Sequence, residues 1–310
     1  MKQLRRLDDI DTSDPYRTLM RAPLRHAALP EKRFRELERD RPGLVAVEGR
    51  SVLAALPQPR RIDLVYGFPH RDAFARDFPA MLKRVLEEVK LDEAPLGVYL
   101  RFTDAPSRPY VEPVLIASAF ELHREWIRME LVALPEDVSS NGEPSNVLAP
   151  GFALRPARAA DADAILELDA VAFPSSFVDS AMAREEVKKA AVLRMLEESK
   201  SGRAIGFLRL RIDGPGTGYV SDVAIHPDYQ RRGLGEAAIR WALGWFRSQD
   251  LHRAALTVSG DNGPAIALYR KLGFVAEQTG LDYRRPIDED EIRQVLDKHR
   301  AEHISVRKRV

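Results

Sequence analysis

The chain contains no cysteine in its 310 residues. Disulfides, thiolate metal ligands and a cysteine nucleophile are therefore excluded. No run approaches the roughly 18 apolar residues that a membrane-spanning helix needs. The opening residues, Met1 to Asp9, are charged and lack the apolar centre of a secretory leader. Neither sign of charge dominates: 48 Lys plus Arg stand against 47 Asp plus Glu. That balance gives no global attraction to nucleic acid or to a membrane, and the short basic end Arg307-Lys-Arg309 reads as a solvated terminus. Together these absences predict a cytoplasmic protein without nucleic-acid or membrane partners.

What remains is the composition of an ordinary globular protein, 45% hydrophobic and 31% charged, at a length that suits two domains. Residues 1–30 are polar and carry Pro15, Pro23 and Pro30. Glu31 to Asp40 predicts a short charged helix. Apolar runs on either side of Gly49-Arg50 predict a hairpin, and Ile62 to Tyr66 a third strand. Asp72 to Val89 has a helical apolar period. Leu96 to Phe102 reads as a strand, Val111 to Ala117 as a helix despite Pro113, and Phe120 to Leu131 as a long strand or a tight strand pair. Leu134 to Asn146 is rich in Pro, Ser, Asn and Gly, as a linker is. After it come a strand at Phe152 to Pro156, a helix at Asp161 to Ala172, a loop, and a second helix at Ser180 to Lys189. Two strands then flank the turn Ser199 to Gly202.

The stretch from Tyr219 to Phe274 carries the chemistry. An apolar strand, Tyr219 to Ile225, runs into the turn His226-Pro-Asp-Tyr-Gln-Arg-Arg-Gly-Leu-Gly235 and then into a helix whose buried face is Leu234, Ala238, Trp241, Ala242 and Trp245. Helix N-terminal N–H groups have no intrahelical partner and lie at the positive end of the dipole, so such a turn suits an anion. Gly233 and Gly235 let a ligand approach the backbone. The second glycine is not followed by Lys-Ser/Thr, which excludes a Walker loop, and a third glycine for a dinucleotide fingerprint is missing. Gln230-Arg231-Arg232-Gly233-Leu234-Gly235 instead resembles the Q/R-x-x-G-x-G/A motif of the GNAT N-acetyltransferase superfamily. Asn262, Ala265, Leu268-Tyr269 and Leu272-Gly273-Phe274 resemble that family's second signature.

The resemblance implies a mixed α/β fold, mostly antiparallel and twisted, flanked by helices, and a co-substrate, acetyl-coenzyme A, with no metal. It implies that backbone groups of Val223, Ala224 and Ile225 pair with the pantetheine arm like an added strand. It places the pyrophosphate on the N–H groups from Arg231 to Glu236 (Arg231, Arg232, Gly233, Leu234, Gly235 and Glu236), with Gln230 and Asn262 as further coenzyme contacts. Tyr269 matches the tyrosine that protonates the departing thiolate and also touches the coenzyme; a phenol is a reasonable donor there. Asn262 serves equally as a helix cap. The base is less clear. Strict alternation puts Tyr219, Ser221 and Val223 on one face and Asp222 and Ala224 on the other. Asp222 is the candidate carboxylate, facing away unless a bulge turns it.

The order of elements repeats. Val65 to Pro69 aligns with Val223 to Pro227, and Ser118-Ala-Phe120 with Leu272-Gly-Phe274. The expected layout is a degenerate GNAT-like copy over residues 1–133 without a coenzyme site, a linker at 134–150, the catalytic domain at 151–285, and a helical extension at 286–310. In the first copy no glycine follows Pro69, and Leu115 stands where Tyr269 does. The expected activity is transfer of acetyl from acetyl-coenzyme A to a primary amine of a small molecule or a protein, by direct attack in a ternary complex. The alternative is a coenzyme-binding regulatory protein without turnover. The expected assembly is a monomer with an internal pseudo-dimer, or a homodimer.

Overall fold

The structure, a computed structural model, describes residues 14–26, 29–58, 61–89, 97–135, 144–173 and 192–287. In chain order its elements are α1 (Pro15–Arg21), β1 (Leu24–His26), α2 (Glu31–Asp40), β2 (Val45–Glu48), β3 (Ser51–Gln58), β4 (Arg61–Phe68), α3 (Arg71–Glu87), β5 (Val98–Phe102), α4 (Arg108–Ala117) and β6 (Glu121–Leu131). There follow β7 (Val147–Ala149), β8 (Phe152–Pro156), α5 (Ala162–Ala172), β9 (Val192–Glu198), β10 (Ala204–Ile212), β11 (Thr217–Ile225), α6 (Leu234–Ser248), β12 (Arg253–Ser259), α7 (Gly263–Lys271) and β13 (Val275–Arg285). Most of these are the elements that periodicity and turn residues predict. Phe120 to Leu131 resolves as one strand. The polar first 30 residues conceal α1 and β1, and β7 lies at the end of the stretch read as linker. The helix expected at Ser180 to Lys189 and the extension from residue 288 lie outside the described residues.

The chain divides into two compact units, Met1–Glu125 with Gly280–Val310, and Trp126–Thr279. The division falls inside β6 and β13 and not at the proline- and serine-rich stretch 134–150. The reason is strand pairing. In the first unit β2, β3 and β4 are antiparallel, β4 and β5 are parallel, and β5 pairs antiparallel with Leu281–Arg285 of β13. In the second unit β8 to β11 are antiparallel, β11 and β12 are parallel, and β12 pairs antiparallel with Trp126–Leu131 of β6. Each unit thus takes its last strand from a distant part of the chain. In both, a helix crosses over between the two parallel strands, as a parallel pair requires.

In the second unit α6 lays Leu234, Ala238, Trp241, Ala242 and Trp245 against the sheet, all buried, beside Leu208, Leu210 and Val220. A large apolar side chain gains about 1.5–3 kcal/mol on full burial, so this face fixes the helix and with it the position of its N-terminus. Ile165 and Leu168 of α5 pack with Phe207 and Ala224 on the other face. Arg155 holds α5 by bonding both Asp161 (2.7 Å) and Glu197 (2.6 Å). In the first unit Phe74 and Phe78 of α3 stack at 4.6 Å between centroids, with Phe68 edge-on to Phe74 at 4.9 Å.

The first unit also buries charge. Arg101 and Arg124 both bond Asp282 at 2.8 Å, and His26 lies in their field. Burial, and then Arg101, push the His26 imidazole down to about 4, with Asp282 opposing. Its folded value is below its unfolded one, so between roughly pH 6.5 and 4 only the unfolded chain takes the proton, and stability falls as pH falls. Burial pushes His123 down in the same sense. Urea midpoints at pH 7 and pH 5 should therefore differ in the wild type, and His26→Gln should reduce that difference while His123 keeps its share. An undiminished difference would show that His26 takes its proton equally readily in the folded and unfolded chain.

Candidate active site

A strand has two edges, and the site is built on the one that β11 leaves open. β10 holds one edge of β11 from Gly218 to Ile225. β12 holds the other only from Thr217 to Val220, where Val220 faces Leu256. Beyond that point β12 turns to β6 alone, pairing Thr257, Val258 and Ser259 with Arg128, Ile127 and Trp126. Among the described residues, no strand pairs with the β12-side edge of β11 after Val220. Val223, Ala224 and Ile225 lie on that stretch. Gln230 closes its end, donating from Nε2 to the Ile225 carbonyl at 3.0 Å.

From Ile225 the chain passes through a short turn at Pro227–Tyr229, where His226 Nδ1 accepts from the Asp228 N–H at 3.3 Å. Arg231 then adopts φ +59 and Gly233, the N-cap of α6, φ +77. The left-handed conformation costs an L side chain roughly 1–2 kcal/mol, which Gly233 avoids. A Cβ at Gly233 would meet nothing within 4 Å, so the space before the helix is open. The N–H groups of Leu234, Gly235 and Glu236 belong to the first turn and have no partner within the helix; the first such bond is from Ala237 to the Gly233 carbonyl, at 3.0 Å. Arg231 is exposed, and Arg232 donates to the Asp228 carbonyl at 3.0 Å. The anion-binding character therefore comes from backbone, with two exposed guanidinium groups beside it.

Helix α7 is tied to this turn. Lys271 and Arg240 both bond Glu236, at 2.6 and 3.1 Å, and hold its carboxyl below the usual range. A Cβ on Gly235 would touch Leu268 at 3.7 Å. Tyr269 lies between Leu268 and Lys271 on the same helix, half-buried, 6.0 Å from the Phe274 ring. Burial pushes its phenol up to about 12. Asn262 caps α7: its Oδ1 accepts from the Ala265 N–H at 3.2 Å. The capping reading of Asn262 is the one this geometry displays, and its side-chain amide still has donors to spare.

The base candidate changes face. Arg209 pairs with Asp222 but Leu210 pairs with Val220, so Ser221 is an extra residue, a β-bulge. Arg209 bonds the Asp222 carboxylate, and Arg211 lies 3.7 Å over the Tyr219 ring. Residues two apart on a strand share a face, so Asp222 and Tyr219 share one too. Strict alternation had put them on opposite faces; the bulge corrects it. Sequence reading missed the rest of this polar face. Tyr219 donates to Thr257 Oγ1 at 2.7 Å across the mouth of the opening. Arg128 bonds Glu277 at 2.8 Å and Glu130 and Asp213 at 3.3 Å. The alternating Leu208-Arg-Leu-Arg211 was the available signal. Among the described residues, no three His, Asp or Glu side chains are grouped to hold a metal, and no helix is long and apolar enough to cross a membrane.

Comparison with known proteins agrees with this geometry. Residues 162–274 match the sequence model of the acetyltransferase (GNAT) family. This chain carries a GNAT domain. It is similar to a mycothiol acetyltransferase of Clavibacter michiganensis subsp. michiganensis, 29% identical over 66% of either chain. A GCN5-related N-acetyltransferase from Sphaerobacter thermophilus shares the fold with a TM-score of 0.58 at 15% identity, over 76% of both chains. A tandem GNAT protein from the clavulanic acid biosynthesis pathway does so with a TM-score of 0.56 at 13% identity, over 91% of this chain and 97% of that one. The matched segments span from 28% to 67% of the length of the curated relatives, and 66% in the mycothiol acetyltransferase of Clavibacter michiganensis.

The open edge of the GNAT domain depends on close approach of β10 to β11. A Cβ on Gly206 would stand 2.2 Å from the Ala224 carbonyl oxygen, which is backbone and cannot swing away. Gly206→Ala should therefore destabilise by about 1–3 kcal/mol, the usual range for overpacking. Thermal melts would show it; an unchanged melting temperature would mean the strands separate at little cost.

Proposed function

We propose that the chain is an N-acetyltransferase that moves acetyl from acetyl-coenzyme A to a primary amine by direct attack. The observation that carries this is the open edge of β11 at Val223–Ile225, leading to a helix start with Gly233 as its left-handed cap. The pantetheine arm would add to that edge as an extra strand, and the pyrophosphate would rest on the N–H groups from Arg231 to Glu236. The relatives are named for mycothiol, which favours a small-molecule acceptor over a protein amino group.

In this reading the amine nitrogen forms a bond to the acetyl carbon while the carbon–sulfur bond breaks. A backbone N–H at the bulge polarises the carbonyl. Asp222, turned toward Tyr219 by the bulge, takes the amine proton. Tyr269 donates to the leaving sulfur. A phenol near 12 holds its proton more tightly than a thiol near 8.5, so the hydroxyl acts as a hydrogen-bond donor that stays protonated throughout the working range.

We infer that the first unit does not perform this chemistry. Its helix α4 ends as α7 does: Phe120 N–H donates to the Leu115 carbonyl at 2.9 Å, and Phe274 N–H to the Tyr269 carbonyl at 3.0 Å. Ala119 and Gly273, just before, both have positive φ, +63 and +90. A buried leucine thus stands at the tyrosine position. Only residues 69–70 separate β4 from α3, against residues 226–233 between β11 and α6, so the phosphate turn itself is missing.

Calorimetric titration with acetyl-coenzyme A should give one site per chain. Gly233→Asp should abolish it by placing a negative charge on the anion site; the side chain enters open space, but the left-handed backbone at φ +77 costs the variant roughly 1–2 kcal/mol, so its melting temperature should fall modestly while the fold is kept. Two sites per chain would overturn the assignment of the first unit.

Tyr269→Phe should lower kcat by roughly 10²-fold, the low end for loss of one positioned hydrogen-bond donor, with acetyl-coenzyme A affinity nearly unchanged. Asp222→Asn should lower kcat comparably. If both variants keep wild-type kcat where chemistry limits the rate, neither side chain serves the reaction.

A further inference from the structure

The first unit has the same opening, and it is filled. β3 holds one edge of β4, with Val52 opposite Gly67 and Leu53 opposite Tyr66. β5 holds the other edge from Ile62 to Leu64 and stops. Beyond Leu64 that edge would be bare, as β11 is beyond Val220. Instead β1 pairs with it antiparallel: Leu24 opposite Phe68, Arg25 opposite Gly67, His26 opposite Tyr66. Since β3 already occupies one edge at Tyr66 and Gly67, β1 stands on the β5 side, within the opening.

The fit is specific. Leu24 is buried among Phe68, Phe74 and their neighbours. Arg25 points outward and its guanidinium donates to the Ala22 carbonyl at 2.9 Å. His26 lies 6.5 Å from the Tyr66 ring, in the field of Arg101 and Asp282. Helix α1 closes over the same place. A Cβ on Gly67 would stand 2.9 Å from the Leu19 carbonyl oxygen, so the glycine is what lets α1 lie against β4. Main-chain bonds give such a strand its hold, and alternate side-chain sites give it selectivity.

We propose that the first unit is a strand acceptor whose ligand class is an extended peptide, and that the chain's own Leu24–His26 is the occupant. The pattern it selects is an apolar residue two places before a neutral imidazole.

The test uses the full chain with Leu24→Asp and Arg25→Pro, which remove the apolar anchor and strain the strand. The probe is a fluorescein-labelled peptide with the sequence of residues 20–30. Its anisotropy should show binding to the double variant at least tenfold tighter than to the wild type, and the same peptide carrying Leu24→Asp should not bind. Acetyl-coenzyme A titration serves as the independent control, with one site expected in both proteins. A variant that binds acetyl-coenzyme A normally but takes no peptide overturns the proposal, and so does a second coenzyme site appearing in the variant. If neither protein binds acetyl-coenzyme A, the function proposed for the second unit fails while the peptide result still decides this one. Should the double variant not fold, hydrogen exchange on the wild type decides. Excess peptide should speed exchange at residues 24–26 while 66–68 stay protected, and no change at 24–26 overturns exchangeability of the strand.

Discussion

Backbone N–H and C=O groups must be satisfied, and a strand offers them on two edges. That requirement organises this protein. A parallel pair whose members diverge leaves an edge that its own sheet does not fill. In the second unit the divergence begins after Val220 and Leu256, and the bulge at Ser221 sits at the same point. One local irregularity therefore opens the edge and turns Asp222 to the face of Tyr219. Helix α6 supplies the other half of the arrangement. Its buried tryptophans hold it, and its first turn carries unpaired donors beside the open edge.

The first unit obeys the same requirement by another route. Its parallel pair also diverges, after Leu64 and Leu100, but there the chain's own strand answers the bare edge. With two residues between strand and helix in place of eight, the first unit lacks the turn that the second unit places between β11 and α6. The two units differ less in framework than in what is allowed to meet the same exposed backbone.

Much of this was legible in the sequence because it rests on local signals. The glycines at 233 and 235, the N-terminal charge of a helix, the tyrosine before a Gly-Phe cap and the apolar face of α6 are all patterns within one element. The matching helix ends were legible too, since the bonds from Phe120 to Leu115 and from Phe274 to Tyr269 follow from neighbouring residues. What was not legible depends on pairing. Ser221 carries no mark of a bulge; only its register against Arg209 and Leu210 reveals one. β1 is three residues long and mixed in polarity, and only the bare edge of β4 makes it a strand. The ion pair of Arg101 with Asp282 joins residues 181 positions apart, which no periodicity reaches.

The same long-range pairing sets an order of assembly during synthesis. β5 is complete at Phe102, but the strand that covers its edge is Leu281–Arg285. The ribosome must add residues 103–285 before that edge is closed, which at 5–20 residues per second takes roughly 9–37 seconds. The first unit to be translated is thus not the first that can be finished. The second unit has the paired strands from β8 to β12 once Ser259 emerges, because Trp126–Leu131 precedes them, and it is complete at Thr279. A unit that waits for Leu281–Arg285 keeps an unpaired edge while the whole second unit is being made, and such edges invite wrong partners. Permuting the chain so that β13 precedes β2 would shorten that wait without altering a single contact within the unit.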